Sequence, residues 1–272
     1  MLFADITKAW STYSSSYLAG IKNTLILAFV GTIFGCLIGF LCGILQTIPY
    51  TKNDNVIKKF LLKLLRIIIR IYVEFFRGTP MVLQAVFFYY GLPYVTSGAF
   101  KWSGVWSCAI LVVSINTGAY MAETVRGGIL SIDKGQTEGA KAIGMNHWQT
   151  MLNVILPQVL KNILPQIGNN YIINVKDTSV MFIISFSEFF AAHRAVAGAT
   201  YMYFPSAVIE MIGYLCMTLL ASFILRFWEK KLAGSFSYEL ATTDQLVTAA
   251  GILNSPFKGS NFDEHHKEGE KR

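Results

Sequence analysis

Apolar residues fall in long blocks along this chain, separated by short polar breaks. A helix needs about 20 mostly apolar residues to cross about 30 Å of hydrocarbon. Residues 24–48 meet that requirement and stop at Pro49. Within them Gly31, Gly35, Gly39 and Gly43 recur every fourth position, a bare track that lets a neighbouring backbone approach closely in lipid. In "KKFLLKLLRIIIRIYVEFFRGTP" the cations Lys59, Lys63, Arg66 and Arg70 step by four, three and four, with Leu and Ile on the other side. That spacing predicts an amphipathic helix lying in the membrane interface before the chain turns inward. Further spans are predicted over residues 71–90 (interrupted at Gly78-Thr79-Pro80), 105–125, 171–190 and 206–228. The pattern is that of an all-α polytopic membrane protein with about five transmembrane helices.

Composition agrees. The chain has 272 residues, 53% apolar and only 14% charged, against about 25% charged in soluble domains. The net charge of +7 says little about nucleic acid, because the cations cluster by loop. Lys52, Lys58, Lys59, Lys63, Arg66 and Arg70 precede the second span, four lie from Arg126 to Lys161, and seven lie from Arg226 onward. Lys8, Lys22, Lys101 and Arg194 are all that the other connections hold. Basic loops stay cytoplasmic, so the expected orientation is N-terminus outside and C-terminus inside. The opening "MLFADITKAW" has no basic stretch leading into a short apolar core and cleavage site, so no removable signal peptide is expected. Cys36, Cys42, Cys108 and Cys216 lie in apolar runs and read as packing thiols. Residues 233–272 are polar and read as a flexible tail.

The cytoplasmic break "EGAKAIGMNHWQTMLNVILPQ", residues 138–158, is small-residue rich. Asp133 with Gln136 three residues later resembles a helix N-cap and its capping partner. Gly144 suits the left-handed position that ends a helix. Between them Gly139, Ala140 and Ala142 leave a shallow surface whose charges are Glu138 and Lys141. Such a helix fits a groove on another protein, or is a plain surface turn.

These residues resemble the permeases of bacterial ABC importers, whose pattern is Glu-Ala-Ala, three residues, Gly, nine residues, Ile, one residue, Leu-Pro. Here it reads Glu138-Gly139-Ala140, Gly144 and Val154-Ile155-Leu156-Pro157. Gly139 for Ala and Val154 for Ile are the departures, and Gly139 weakens a helix by up to about 1 kcal/mol. "FFRGTPMVLQ" (75–84), "AETVRGGILSIDKGQTEGAKAIG" (122–144) and "NVKDTSV" (174–180) are similar to the polar amino-acid, histidine/glutamine-type subgroup. The resemblance spans roughly residues 15 to 230. It implies a permease domain (24–232) in a bacterial cell membrane; with the orientation expected from the charges, residues 1–23 are an extracytoplasmic N-terminal segment, and residues 233–272, which are not part of the family pattern, a cytoplasmic tail. It also implies that residues 133–144 form a coupling helix seated in a cytoplasmic ATPase dimer. A second permease subunit and an external amino-acid-binding protein would complete the transporter. No G-x-x-x-x-G-K-[ST] phosphate cradle is present, so no cofactor is expected in this chain and ATP with Mg belongs to the partner.

Charges inside spans are costly and mark pathways. Glu188 is the leading candidate to meet a substrate ammonium, about 18 Å beyond Lys176 if the helix is unbroken; its alternative is an ordinary outer-end residue. Lys176 and Asp177 are adjacent and point apart, so each needs a partner elsewhere, unless Lys176 snorkels to the interface. Arg77 and Thr79 at the Pro80 break read as a path element of the broken-helix type or as an interfacial kink. Glu123 and Arg126, three apart, read as a gate or interface pair. Glu210 is a path residue or a packing residue. His147 has no second ligand nearby, and neither a catalytic nor a metal site is expected. Two other classes compete: an ATP-independent channel or ion-coupled carrier using Lys176, Asp177 and Glu188, and a scaffold whose cytoplasmic helix only recruits a partner.

Overall fold

A computed structural model of the chain describes residues 2–50 and 54–233. The expected tail lies outside the described residues except for its first position. Among the described residues every regular element is helical. The helices are α1 (Leu2–Thr47), α2 (Val56–Gly78), α3 (Met81–Val95), α4 (Val105–Ser131), α5 (Lys134–Ala142), α6 (His147–Ile184), α7 (Phe189–Thr200) and α8 (Tyr203–Ala233).

The glycine track decides the centre of the bundle. A Cβ at Gly31, Gly35, Gly39 or Gly43 would collide with Val113, Thr117, Met121 or Val125 of α4, in constant register along both helices. At Gly35 the added atom would stand 2.5 Å from Thr117 Cβ and 3.1 Å from the Ser114 carbonyl oxygen. Residue numbers rise together on the two helices, so α1 and α4 are parallel. Two parallel crossings oblige the chain between them to return across the membrane, and that return is made by α2 and α3. Their break at Thr79-Pro80 falls where the sequence predicts it. Neither helix is long and apolar enough to cross alone.

The remaining helices follow from the same kind of pairing. Gly128 of α4 faces Ile163 and Val159 of α6, Met121 takes Asn170, and Thr117 takes Asn174, so α6 runs antiparallel to α4. Gly168 of α6 packs on Leu225 of α8, while Tyr17 near the start of α1 reaches Ser206 near the start of α8. The C-terminal ends of α1, α4 and α8 therefore share one side of the bundle with α5 and the start of α6.

Three expectations change. First, α1 does not begin at residue 24: it starts at Leu2 and bends at Tyr13 (φ −119°, ψ 15°), because Ala9 and Tyr17 bury against the bundle and extend the packed face. Second, the fourth span is not 171–190. The helix begins at His147, tightens into a 3₁₀ stretch at Thr178–Ile184, and ends at Ser185 in the left-handed region (φ 62°); α7 then departs at 51°. Third, by length and composition alone the described residues hold three crossing helices and one bent pair, the second expected crossing being divided at Thr79. Both other irregularities have a proline behind them. Wide π turns at Phe87–Gly91 and Met151–Ile155 each run into Leu-Pro, at Pro93 and Pro157. A proline lacks the N–H that would close the preceding turn, and a wider turn accommodates the carbonyl left over.

Candidate functional site

The helix α5 hangs between α4 and α6 at the shared end. The Asp133 side chain accepts from the Gly135 N–H (2.7 Å), so it caps the helix as its position predicts. Gln136 does not complete a capping box: its side chain accepts instead from Gln158 of α6 (3.3 Å), which ties α5 to the bundle. The other end closes in a Schellman motif. Gly144 adopts φ 84°, its N–H donates to the Lys141 carbonyl (2.9 Å), and the Met145 N–H donates to the Ala140 carbonyl (3.0 Å). Ala140 is the buried residue of α5, and Thr137 beside it is half-buried. Glu138, Gly139, Lys141 and Gly144 are exposed, and a Cβ at Gly139 would meet nothing. Ile143, an apolar residue beside them, is 79% exposed. Among the described residues, the surface that bears Glu138, Gly139, Lys141 and Ile143 is left exposed on a helix capped at both ends.

The α2–α3 break, which packs against the middle of α4, is stitched rather than loose. Gln84 donates to the carbonyls of Phe76 (3.0 Å) and Thr79 (2.9 Å), and Asn116 of α4 donates to the same Phe76 carbonyl (3.2 Å) and to Gln84 (3.1 Å). These donors satisfy carbonyls that Pro80 leaves without a helical partner, an obligation inside lipid. Arg77 forms an ion pair with Glu123 and lies 5.4 Å from the Tyr120 ring centre. So two candidates, Arg77 and Glu123, come together, while Thr79 accepts from Gln84 at the break. The expected Glu123–Arg126 pair does not form; Arg77 takes the carboxylate because the kink swings it against α4. Both partners of the pair stay about half-exposed.

Glu188 is placed differently from the expectation. The helix is broken at Ser185, so the 18 Å extrapolation from Lys176 does not apply. Glu188 is fully buried and caps α7: its carboxylate accepts from the N–H groups of Phe190 (2.7 Å) and Ala191 (2.6 Å) and from the Tyr214 hydroxyl (2.9 Å). The carboxylate is engaged within the chain, on two backbone N–H groups and one hydroxyl. Glu210 belongs to a neighbouring buried set: Tyr17 shares a hydrogen bond with Ser206 (2.6 Å), Ser206 with His193 (2.9 Å), and His193 Nε2 stands 3.7 Å from Glu210. Lys176 and Asp177 are exposed, and no described carboxylate or cation lies within ion-pair distance of either.

Sequence reasoning missed the neutral polar residues at the centre. Asn174 donates to Thr32 (2.8 Å) and Thr117 (2.9 Å), joining α1, α4 and α6. The signal was there in Asn116, Thr117 and Asn174 within apolar runs, because an amide in hydrocarbon must find a partner; what the sequence does not carry is which partner.

The chain matches, over residues 57–234, the family described as binding-protein-dependent transport system inner membrane component. It is 34% identical over 215 residues to the glutamine transport system permease protein GlnP of Escherichia coli K12, covering 78% of this chain and 91% of that one. To the arginine transport system permease protein ArtQ of Bacillus subtilis 168 it is 32% identical over 218 residues, covering 79% and 91%. Among solved structures, a crystal structure of an amino acid ABC transporter with histidines aligns with TM-score 0.70 at 30% identity, over 82% of this chain and 96% of that one. An inward-facing methionine ABC transporter, MetNI, shares the fold at 19% identity and TM-score 0.64.

Proposed function

This chain belongs to the binding-protein-dependent transport system inner membrane components, the permease subunits of ABC importers, and from that membership we propose that it carries a polar amino acid inward by alternating access. As in its family, the ATPase is a separate subunit, and the chain is a multi-pass protein of the cytoplasmic membrane. The proposed orientation puts the N-terminus outside, with α5 and the C-terminal end of α8 inside. The proposed assembly is two permease subunits over an ATPase dimer, fed by an external amino-acid-binding protein.

The observation that carries the reading is α5. It is capped at both ends, tied back through Gln136, and unpartnered on the surface that bears Glu138, Gly139 and Lys141. In the proposed mechanism ATP draws the two ATPase subunits together and moves α5. Because α5 continues directly from α4, that motion reaches Glu123, its partner Arg77 and the Thr79 break. The pair then acts as the gate on the inner side of the path. The ATPase drives the cycle only by stabilising one conformation over the other. The unpartnered Lys176 and Asp177 fit a contact with the second permease subunit.

The test is uptake into proteoliposomes holding this chain with its ATPase and binding protein. The reading expects uptake that needs ATP and competition among polar amino acids. Uptake that persists without ATP would favour an ion-coupled carrier. A Glu138→Arg variant that leaves ATPase binding and uptake untouched would remove α5 from the mechanism and favour a scaffold.

A further inference from the structure

Residues 177–190, DTSVMFIISFSEFF, contain neither glycine nor proline, so nothing local stops α6 from continuing as an α-helix. Yet it tightens to 3₁₀ pitch for seven residues, Thr178–Ile184, where runs longer than about four are uncommon. It then ends in a Schellman motif whose left-handed position is Ser185 (φ 62°). The Ser185 N–H donates to the Phe182 carbonyl (2.9 Å), and the Phe186 N–H to the Met181 carbonyl (3.2 Å). At the end of α5 the same position is held by Gly144; a residue with a Cβ meets a steric cost there. A backbone form that the local sequence does not favour persists when its surroundings impose it.

The surroundings hold the stretch at both ends. Before it, Asn174 donates to Thr32 of α1 and Thr117 of α4. After it, Asn23 of α1 donates to the Ser187 carbonyl (2.7 Å), and Thr24 accepts from the Phe189 N–H (3.2 Å). Gly20 lets α1 lie against this second point: a Cβ there would stand 2.8 Å from Phe189 Cα and 2.9 Å from the Glu188 carbonyl oxygen. Beyond it, Glu188 bonds to Tyr214 and His193 to Ser206, so α7 and the start of α8 form one piece. That piece is bonded to α1 through Asn23, Thr24 and the Tyr17–Ser206 contact.

We propose that Thr178–Ile184 is a convertible joint with two lengths: extended as 3₁₀ helix while α7 is seated on α1, and about 3.5 Å shorter as α-helix when that seat is released. In the alternating-access cycle, a reading on which this use of the joint rests, each length belongs to one conformation. The conversion moves α7 relative to Lys176 and Asp177, which stand just before the joint.

The experiment places spin labels at Lys161→Cys in α6 and Ala195→Cys in α7, both exposed positions. The full chain carries Cys36→Ala, Cys42→Ala, Cys108→Ala and Cys216→Ala, and the distance is read in nanodiscs by double electron–electron resonance. This parent is expected to show the longer distance as its main population. Ser185 is exposed, so its substitution disturbs little packing. Ser185→Val brings in a β-branched residue unsuited to the left-handed region, and the main population is expected about 3.5 Å shorter. Ser185→Gly suits that region and keeps the longer distance. Asn23→Ala with Thr24→Val frees the seat without touching the joint, and is expected to shorten the distance as well. Size exclusion that matches the parent separates a shortened joint from a lost fold. An unchanged distance in the Val variant and the paired variant overturns the proposal. So does a broadened distribution without a shorter centre, the mark of a loosened α7. The measurement needs no ATPase, so its failure is distinct from failure of the transport reading, which the uptake assay decides.

Discussion

The two ends of the bundle treat polar groups in opposite ways. Near the start of α1, Tyr17, Ser206, His193, Glu210, Glu188 and Tyr214 are gathered between α1, α7 and α8, and most of their polar atoms are bonded within the chain. Near the end of α1, the Arg77–Glu123 pair is half-exposed, and Glu138 and Lys141 have no ion-pair partner among the described residues. A buried polar group without a partner costs about 1–3 kcal/mol, so the first end is closed and structural. The second end leaves its charges exposed. Moving parts belong where the chain has not already satisfied itself.

The comparison can be broken by substitution, and the largest effect is expected in the packed centre. Gly35→Leu places a branched side chain where even a Cβ meets Thr117 at 2.5 Å. The α1–α4 contact then opens at a cost of about 3 kcal/mol, read as a loss of folded protein on size exclusion and a lowered Tm. Next is Glu188→Ala. If the carboxylate is a cap and not a ligand, the variant loses about 2 kcal/mol of stability, read by thermal unfolding. The KM for substrate of the protein that remains folded is unchanged. A lost affinity at normal stability would return Glu188 to the path.

At the open end the readouts change from stability to coupling. Glu138→Arg reverses a charge on the proposed docking surface, and ATPase affinity is expected to fall by about 2 kcal/mol, or about thirtyfold, with Tm unchanged. Arg77→Gln removes an ion pair that is half in water, so stability moves by less than about 1 kcal/mol while uptake slows. The double exchange Arg77→Glu with Glu123→Arg recovers part of the rate if the pair is a gate. The smallest effect is that of Gly139→Ala. A Cβ there meets nothing, so α5 gains up to about 1 kcal/mol of helix stability with uptake intact; circular dichroism of the isolated 131–147 peptide reads the gain.

The same contrast explains what could be read in advance. The glycine track, the Thr79-Pro80 break and the Asp133 and Gly144 caps were legible because each is a local rule: spacing, a missing N–H, a side-chain acceptor, a positive φ. The fourth crossing was misread because Lys176 and Asp177 interrupt an apolar run that the structure continues as a 3₁₀ turn, and because nothing local announces the reversal at Ser185. Arg77 was paired in expectation with no one, and Glu123 with its neighbour Arg126, since the bend that joins them depends on how α2 meets α4. Asn174 with Thr32 and Thr117, like Glu188 with Tyr214, joins residues far apart in sequence, and only the packed bundle selects such partners.

Hydrogen exchange on the purified permease, with and without its ATPase, tests the central claim most directly. Binding is expected to slow exchange across residues 134–144, whose surface the chain leaves bare, and to leave the amides of Phe190 and Ala191, already bonded to Glu188, as they were. If residues 134–144 exchange at the same rate with the ATPase bound, α5 is not where this permease is driven.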